Sequence, residues 1–211
     1  WLAHASQGIR ARNVIVSAGA LGTNRLLFRC REITRSLPKI SARLGDMVRT
    51  NSESLLGVSA RDKQTDFSKG IAITSIIQAD EVTTVEPVRY PAGSSLIRLL
   101  SGPLVEGDDS VPVRILKTLF RLISRPVDFF ITHLLPGWAE RTTILLVMQT
   151  EDNHIRLRLG RSLFTLWNRN LVSKTRDNEG IPSMLPVGHD VTRRFARKID
   201  GVPAGSFNES L

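Results

Sequence analysis

The sequence predicts a mixed architecture, α/β followed by α+β: a βα piece joined to an antiparallel sheet that carries a helical insertion. Three observations predict it. Val14-Ile15-Val16 runs through the small residues Ser17-Ala18-Gly19-Ala20 and Gly22 into an apolar segment, Leu26-Leu27-Phe28, which is the order strand, tight bend, helix. From Ser54 the apolar period moves towards two, most clearly where Ile155, Leu157 and Leu159 alternate with His154, Arg156 and Arg158. Such alternation marks a sheet with one wet face. Between these strands, residues 113–140 form a wide apolar helical stripe interrupted at Pro126.

Taken in order, the β-branched run Val14–Val16 closed by small residues reads as a buried strand of a parallel sheet. Thr23 or Asn24 is placed to cap a helix from Asn24 to Arg31. Leu37-Pro38 breaks the chain, and a short helix over Ile40–Leu44 ends at Gly45. Strands are expected over 55–58, 71–77 and 82–90, with Pro87 confining the end of the last to an edge or bulge. Residues 92–112 are rich in turn formers.

In the insertion, Ile115, Leu116, Leu119, Phe120, Leu122 and Ile123 make the stripe, with Arg114, Lys117, Arg121 and Arg125 beside or opposite it. Packing of this stripe on the sheet is the expected arrangement. A resting place at a membrane surface is the other. A three-stranded antiparallel meander is expected over 143–149, 155–159 and 163–168. A helix over 188–199 follows, with Val191, Phe195 and Ile199 four apart and Gly201 ending it.

Composition limits the function classes. At 211 residues and 41% hydrophobic content the chain can bury a core. No apolar run approaches the length of a membrane span. Trp1 at the start and a polar run at Leu211 lead us to expect an internal stretch of a longer protein. The net charge of +9 invites a nucleic-acid reading, yet no Lys/Arg block of five occurs and no aromatic residues interleave with the basic ones. Nucleic acid is therefore not expected as a partner. The lone Cys30 excludes an internal disulfide and fits an inert packing role. Location stays open between the cytoplasm and a membrane surface. His4, His133 and His154 lack metal-ligand spacing, so no metal is expected. Neither a phosphate loop nor a nucleophile elbow is present.

The string Ala18-Gly19-Ala20-Leu21-Gly22-Thr23 followed by Arg25-Leu26-Leu27 resembles the glucose-methanol-choline (GMC) flavin oxidoreductases, in particular their cholesterol-oxidase-like branch. So do Leu44-Gly45-Asp46 with Arg49-Thr50-Asn51-Ser52-Glu53, Gln78–Val82 with Val85–Tyr90, and Met148-Gln149-Thr150 with Asp152-Asn153. The matches run nearly end to end.

The resemblance implies part of an FAD-binding Rossmann-like domain over 1–53, a substrate domain with an antiparallel sheet over 54–186, and a return towards the FAD-binding domain over 187–211. It implies FAD as cofactor, with Ser17, Ala18, Gly19, Ala20 and Gly22 beside it, and a bulky apolar, sterol-like alcohol as substrate. The family's Gly-x-Gly-x-x-Gly fingerprint and catalytic His segment fall outside residues 1–211. Asn51 and Glu53 are the polar candidates for the catalytic side, since a buried carboxylate near a flavin can take a proton or hold a hydroxyl; a turn Asn and a solvated Glu is the alternative. His189, at the start of the last helix, reads as a surface or capping residue rather than a base. A lipid-binding module without redox chemistry is the competing function.

Overall fold

The computed structural model describes residues 8–49, 52–107, 109–162, 165–174 and 184–209. The chain divides into two compact units, each made of two separate stretches: Trp1–Val48 with His154–Glu179, and Arg49–Asn153 with Gly180–Leu211. The segment from His154 onward, expected with the substrate domain, thus groups with the first unit.

In the first unit, helix α1 spans Gly19–Glu32 and buries Phe28. It begins five residues before the expected start, so Thr23 and Asn24 lie inside it rather than capping it. Asn24 Nδ2 instead donates back to the Ala20 carbonyl at 2.8 Å. Val14–Val16 is not a buried strand. It joins no sheet among the described residues, and Ile15 is 90% exposed. A strand needs a neighbour for its backbone N–H and C=O groups, and no described segment runs beside this one.

Residues 42–47 are turns, not the expected helix. Gly45 has φ +84° there, and a Cβ on it would collide with the Leu157 carbonyl and the Phe28 ring. Leu157 N–H donates to the Gly45 carbonyl at 2.8 Å. This close approach ties the turn to strand β7 (His154–Gly160), which pairs antiparallel with β8 (Asn170–Lys174). Strand β1 (Val48–Arg49) flanks β7 on its other edge. Glu32 accepts from Arg31 at 2.9 Å and from Arg169 at 2.6 Å, joining α1 to the approach of β8.

The second unit holds a six-stranded sheet. Its strands are β2 (Ser54–Ala60), β3 (Ile77–Gln78), β4 (Thr83–Val88), β5 (Ser101–Pro103), β6 (Thr142–Gln149) and β9 (Gly201–Ser206), in the order β3-β4-β6-β2-β9-β5. Each neighbouring pair is antiparallel. The expected meander therefore does not form: β6 and β7 lie in different sheets, and residues 165–169 are turns, with the strand beginning at Asn170. The expected strand over 71–77 reduces to one bridge, Ile73 with Val88, and the two residues of β3. Pro87 pairs with Leu145 on the β6 side only, where β3 has already ended, so its missing N–H faces no partner strand.

Alternation along β2, β4 and β6 assigns the two faces. Leu56, Val58, Val85, Leu145 and Val147 are buried on one, under Leu185 and helix α5 (Pro186–Lys198), with Ala196 in the same cluster. Gly188 lets α5 come close, since a Cβ there would sit 2.8 Å from both Val147 methyls. Gly201 does not end α5. The chain reverses at Ile199 and at Asp200 (φ +47°), and Gly201 opens β9. Helix α2 (Val111–Ser124) stops at Arg125, before Pro126 starts the short helix α3 (Pro126–Phe129). A one-turn helix, α4 (Trp138–Arg141), leads into β6.

Candidate functional site

Each unit carries one candidate. In the first, Ser17, Ala18, Gly19, Ala20 and Gly22 form the bend and opening turn of α1. Gly19 has φ +71°, and a Cβ on it would meet nothing within 4 Å. Backbone conformation, not crowding, therefore favours glycine at this position. No side chain caps the helix, no acidic residue stands in its first turn, and the bend is open to solvent. The first amides of α1 thus have no side-chain cap, and small residues surround them except for Leu21.

In the second unit the sheet face opposite α5 is apolar and partly open. Register puts Leu55, Leu146 and Glu86 on it, with Gly57, Ile144 and Ala204 alongside. Of these, Leu55, Gly57, Ile144 and Ala204 floor a cleft walled by Tyr90, Ile97, Leu100 and Trp138. Its polar contribution is small: Ser59, Thr142, Ser101 and Ser206. The Ser59 and Thr142 hydroxyls hydrogen-bond each other at 2.7 Å. A concave, mostly apolar surface with few polar groups suits an apolar ligand. Glu86 is the carboxylate on this face of β4, between Thr84 and Val88.

A second, smaller hollow lies between α2–α3 and β9. His133 borders it, with Nδ1 2.7 Å from Thr132 Oγ1 and Nε2 3.0 Å from the Ser101 carbonyl, and stacks on Phe129.

Of the polar candidates, Asn51 lies outside the described residues. Glu53 is exposed just before β2. The stretch around it is fixed at both ends. Arg49 donates to Asp152 from Nε (2.6 Å) and Nη2 (3.2 Å), and Asn153 Nδ2 donates to the buried Ser52 Oγ at 2.8 Å. Hydrogen bonding to the Asp152 carboxylate, then its charge, raises the Arg49 pKa above its ordinary value.

His189 is not at the surface. It is 0% exposed, and its Nε2 lies 3.2 Å from Glu209 Oε2. Glu209 also accepts from Ser54 Oγ at 2.5 Å, and Arg114 Nη1 donates to the Glu209 carbonyl at 3.2 Å. His189 Nδ1 is buried without a hydrogen-bond partner among the described residues. Sequence spacing carries no signal for this cluster, because Ser54 and Glu209 are 155 positions apart. Among the described residues, no group of three or more His, Cys, Asp or Glu side chains could hold a metal ion.

The chain is similar, along its whole length, to curated proteins named cholesterol oxidase. That of Acinetobacter baumannii is 37% identical over 211 residues, covering 100% of this chain and 37% of the relative. Those of Mycobacterium tuberculosis strains CDC 1551 and H37Rv are each 38% identical over 214 residues, covering 99% of this chain and 36% of theirs. The chain thus spans little more than a third of the length of these relatives. No family model matches it, and no solved structure matches it.

Proposed function

We propose that this chain is the central part of an FAD-dependent oxidoreductase of the GMC type, acting on the hydroxyl of a sterol-like, bulky apolar alcohol. The observation that carries the reading is the similarity to cholesterol oxidases over the entire chain. The open apolar cleft supports the substrate class, and the uncapped start of α1 supports the cofactor.

The fit to a flavin dinucleotide rests on that helix start. Its free amides and small side chains suit a diphosphate, which needs donors and close backbone approach. Ser17, Ala18, Gly19, Ala20 and Gly22 are the residues that would hold it. When bound, the flavin supplies the two-electron acceptor for the carbinol hydride. The chain's own part is to seat the apolar body of the alcohol against Leu55, Ile97, Ile144 and Trp138 and to keep water from it. The hydroxyls that line the cleft, Ser59, Ser101, Thr142 and Ser206, are the groups able to hydrogen-bond the substrate hydroxyl. Asn51 and Glu53 are further polar candidates on the stretch that opens the second unit.

The test uses the full-length protein. Its flavin absorbance is recorded, and turnover is measured with a detergent-dispersed sterol and with a short alcohol. Ile144→Trp, which fills the cleft, is expected to raise the sterol KM about tenfold with little change for the short alcohol. A colourless protein that still binds sterol sinks the redox reading in favour of a lipid-binding module.

A further inference from the structure

Helix α2 does not pack its apolar stripe on the sheet, as its spacing predicts. Leu116, Leu119, Phe120 and Ile123 are exposed, and the buried residues of the helix are Arg114 and Thr118. Residues three and four apart share a helix face, so the face of Arg114 and Thr118 continues through Arg121 and Leu122 to Arg125. This polar face borders the smaller hollow beside β9. Arg121 and Arg125, one turn apart, line it together with the apolar Leu104, Leu122, Phe129 and Val202.

Neither arginine is satisfied by its ion pair. Glu106 lies 3.9 Å from Arg121 but 2.5 Å from Arg193, and Asp128 lies 3.7 Å from Arg125 but 2.7 Å from Arg61. Both longer contacts exceed hydrogen-bond reach. Among the described residues, neither guanidinium donates a hydrogen bond. Asp128 also lines the hollow, and Arg61 meets its charge. His133, on the same wall, has its ring nitrogens against Thr132 Oγ1 and the Ser101 carbonyl. The unused donors of the hollow are therefore those of Arg121 and Arg125. A guanidinium fork takes a carboxylate through paired hydrogen bonds, and the apolar lining suits a short hydrocarbon body. A hydrated inorganic anion gains nothing from that lining, and a neutral alcohol leaves both charges unmet. We infer that this hollow binds a small organic carboxylate, beside the cleft with which it shares Ala204.

Binding here is independent of the sterol reading, and calorimetric titration of full-length protein tests it without turnover. Hexanoate is expected to bind, and hexanol and inorganic phosphate to bind about tenfold more weakly or worse. Acetate, without the hydrocarbon body, should bind about fivefold more weakly than hexanoate. Arg121→Gln/Arg125→Gln is expected to lower hexanoate affinity about tenfold. Arg125→Gln alone, an exposed change that leaves folding intact, should lower it about threefold. Ile144→Trp, which fills the neighbouring cleft, should leave hexanoate affinity unchanged. Four results overturn the inference: no hexanoate binding by the wild type; hexanol, phosphate or acetate binding as tightly as hexanoate; hexanoate affinity of the arginine variants equal to wild type; or loss of hexanoate binding in Ile144→Trp, which places the ligand in the cleft.

Discussion

Helices α2 and α5 are both amphipathic and both belong to the second unit, yet they are mounted in opposite senses. Helix α5 sets Gly188, His189, Thr192 and Ala196 against the sheet, with Val191 and Phe195 packed at the margin of the core. Helix α2 sets Arg114 and Thr118 inward and turns Leu116, Leu119, Phe120 and Ile123 outward. An apolar stripe shows that a helix has two faces. What the rest of the fold offers decides which face is buried. Under α5 lies a flat apolar sheet, and small residues let the helix approach it. Beneath α2 lies the Glu209 carbonyl, which needs a donor, and Arg114 supplies one.

The largest effect should come from placing the same charge on both helices. Ala196→Asp buries an unpaired carboxylate in the main core and is expected to cost roughly 3–5 kcal/mol, read as a lowered urea midpoint. Ile123→Asp should stay within about 0.5 kcal/mol of wild type. Equal losses would break the contrast.

Next, His189→Ala takes from the buried Glu209 carboxylate one of its two side-chain partners and is expected to cost about 2–3 kcal/mol. Glu209→Gln in the same background should recover part of that loss if the charge is the cause. Arg114→Met keeps an aliphatic stem but leaves the Glu209 carbonyl short of a donor, for about 1–2 kcal/mol. Phe120→Ser on the same helix should move the midpoint little.

The smallest effect concerns the turn between β3 and β4. Asp80 Oδ1 accepts from the N–H groups of Val82 (2.9 Å) and Thr83 (2.7 Å), and these bonds, Val82's first, hold its pKa below the ordinary carboxylate value. A folded-state pKa below the unfolded one stabilises above the unfolded value, near 4, and that share is lost as pH falls through the folded value. Asp80→Ala should therefore lower stability slightly at neutral pH. The difference from wild type should shrink below about pH 4, as measured by thermal unfolding across pH.

Local residue types made some of this legible in the sequence. The α2 break at Pro126, the edge role of Pro87 and the helix after residue 185 all follow from one ring, one missing N–H or one four-residue spacing. Long-range partners were not legible. Val14–Val16 has the composition of a buried strand, but the described residues give it no neighbour. Thr143–Gln149 and Ile155–Leu159 are close in sequence and alternate alike, yet the first pairs with β2 and β4, far back along the chain, and the second with β1 and β8 in a different sheet. For the candidate site, the glycine and alanine bend stood out because its residues are contiguous. The hydroxyls of the cleft, Ser59, Ser101, Thr142 and Ser206, lay inside strand patterns without a mark of their own, and the cluster of Ser54, Arg114, His189 and Glu209 exists only once distant segments meet. His189 showed in sequence as a polar residue at a helix start, the usual sign of exposure, and the fold buried it fully.

One feature of the sheet bears on how the protein is made. Strand β9 lies between β2 and β5 but is the last of the six strands of this sheet to be synthesised. Until residue 206 emerges, β2 has β6 on one side and bare amides and carbonyls on the other. At roughly 5–20 residues per second, that opening lasts on the order of three to eleven seconds once β6 is complete. A nascent chain in this interval offers an unzipped margin to any stray strand. Ribosome-associated chaperones would therefore be expected to engage it there, and slow codons before Gly201 should raise the yield of aggregate.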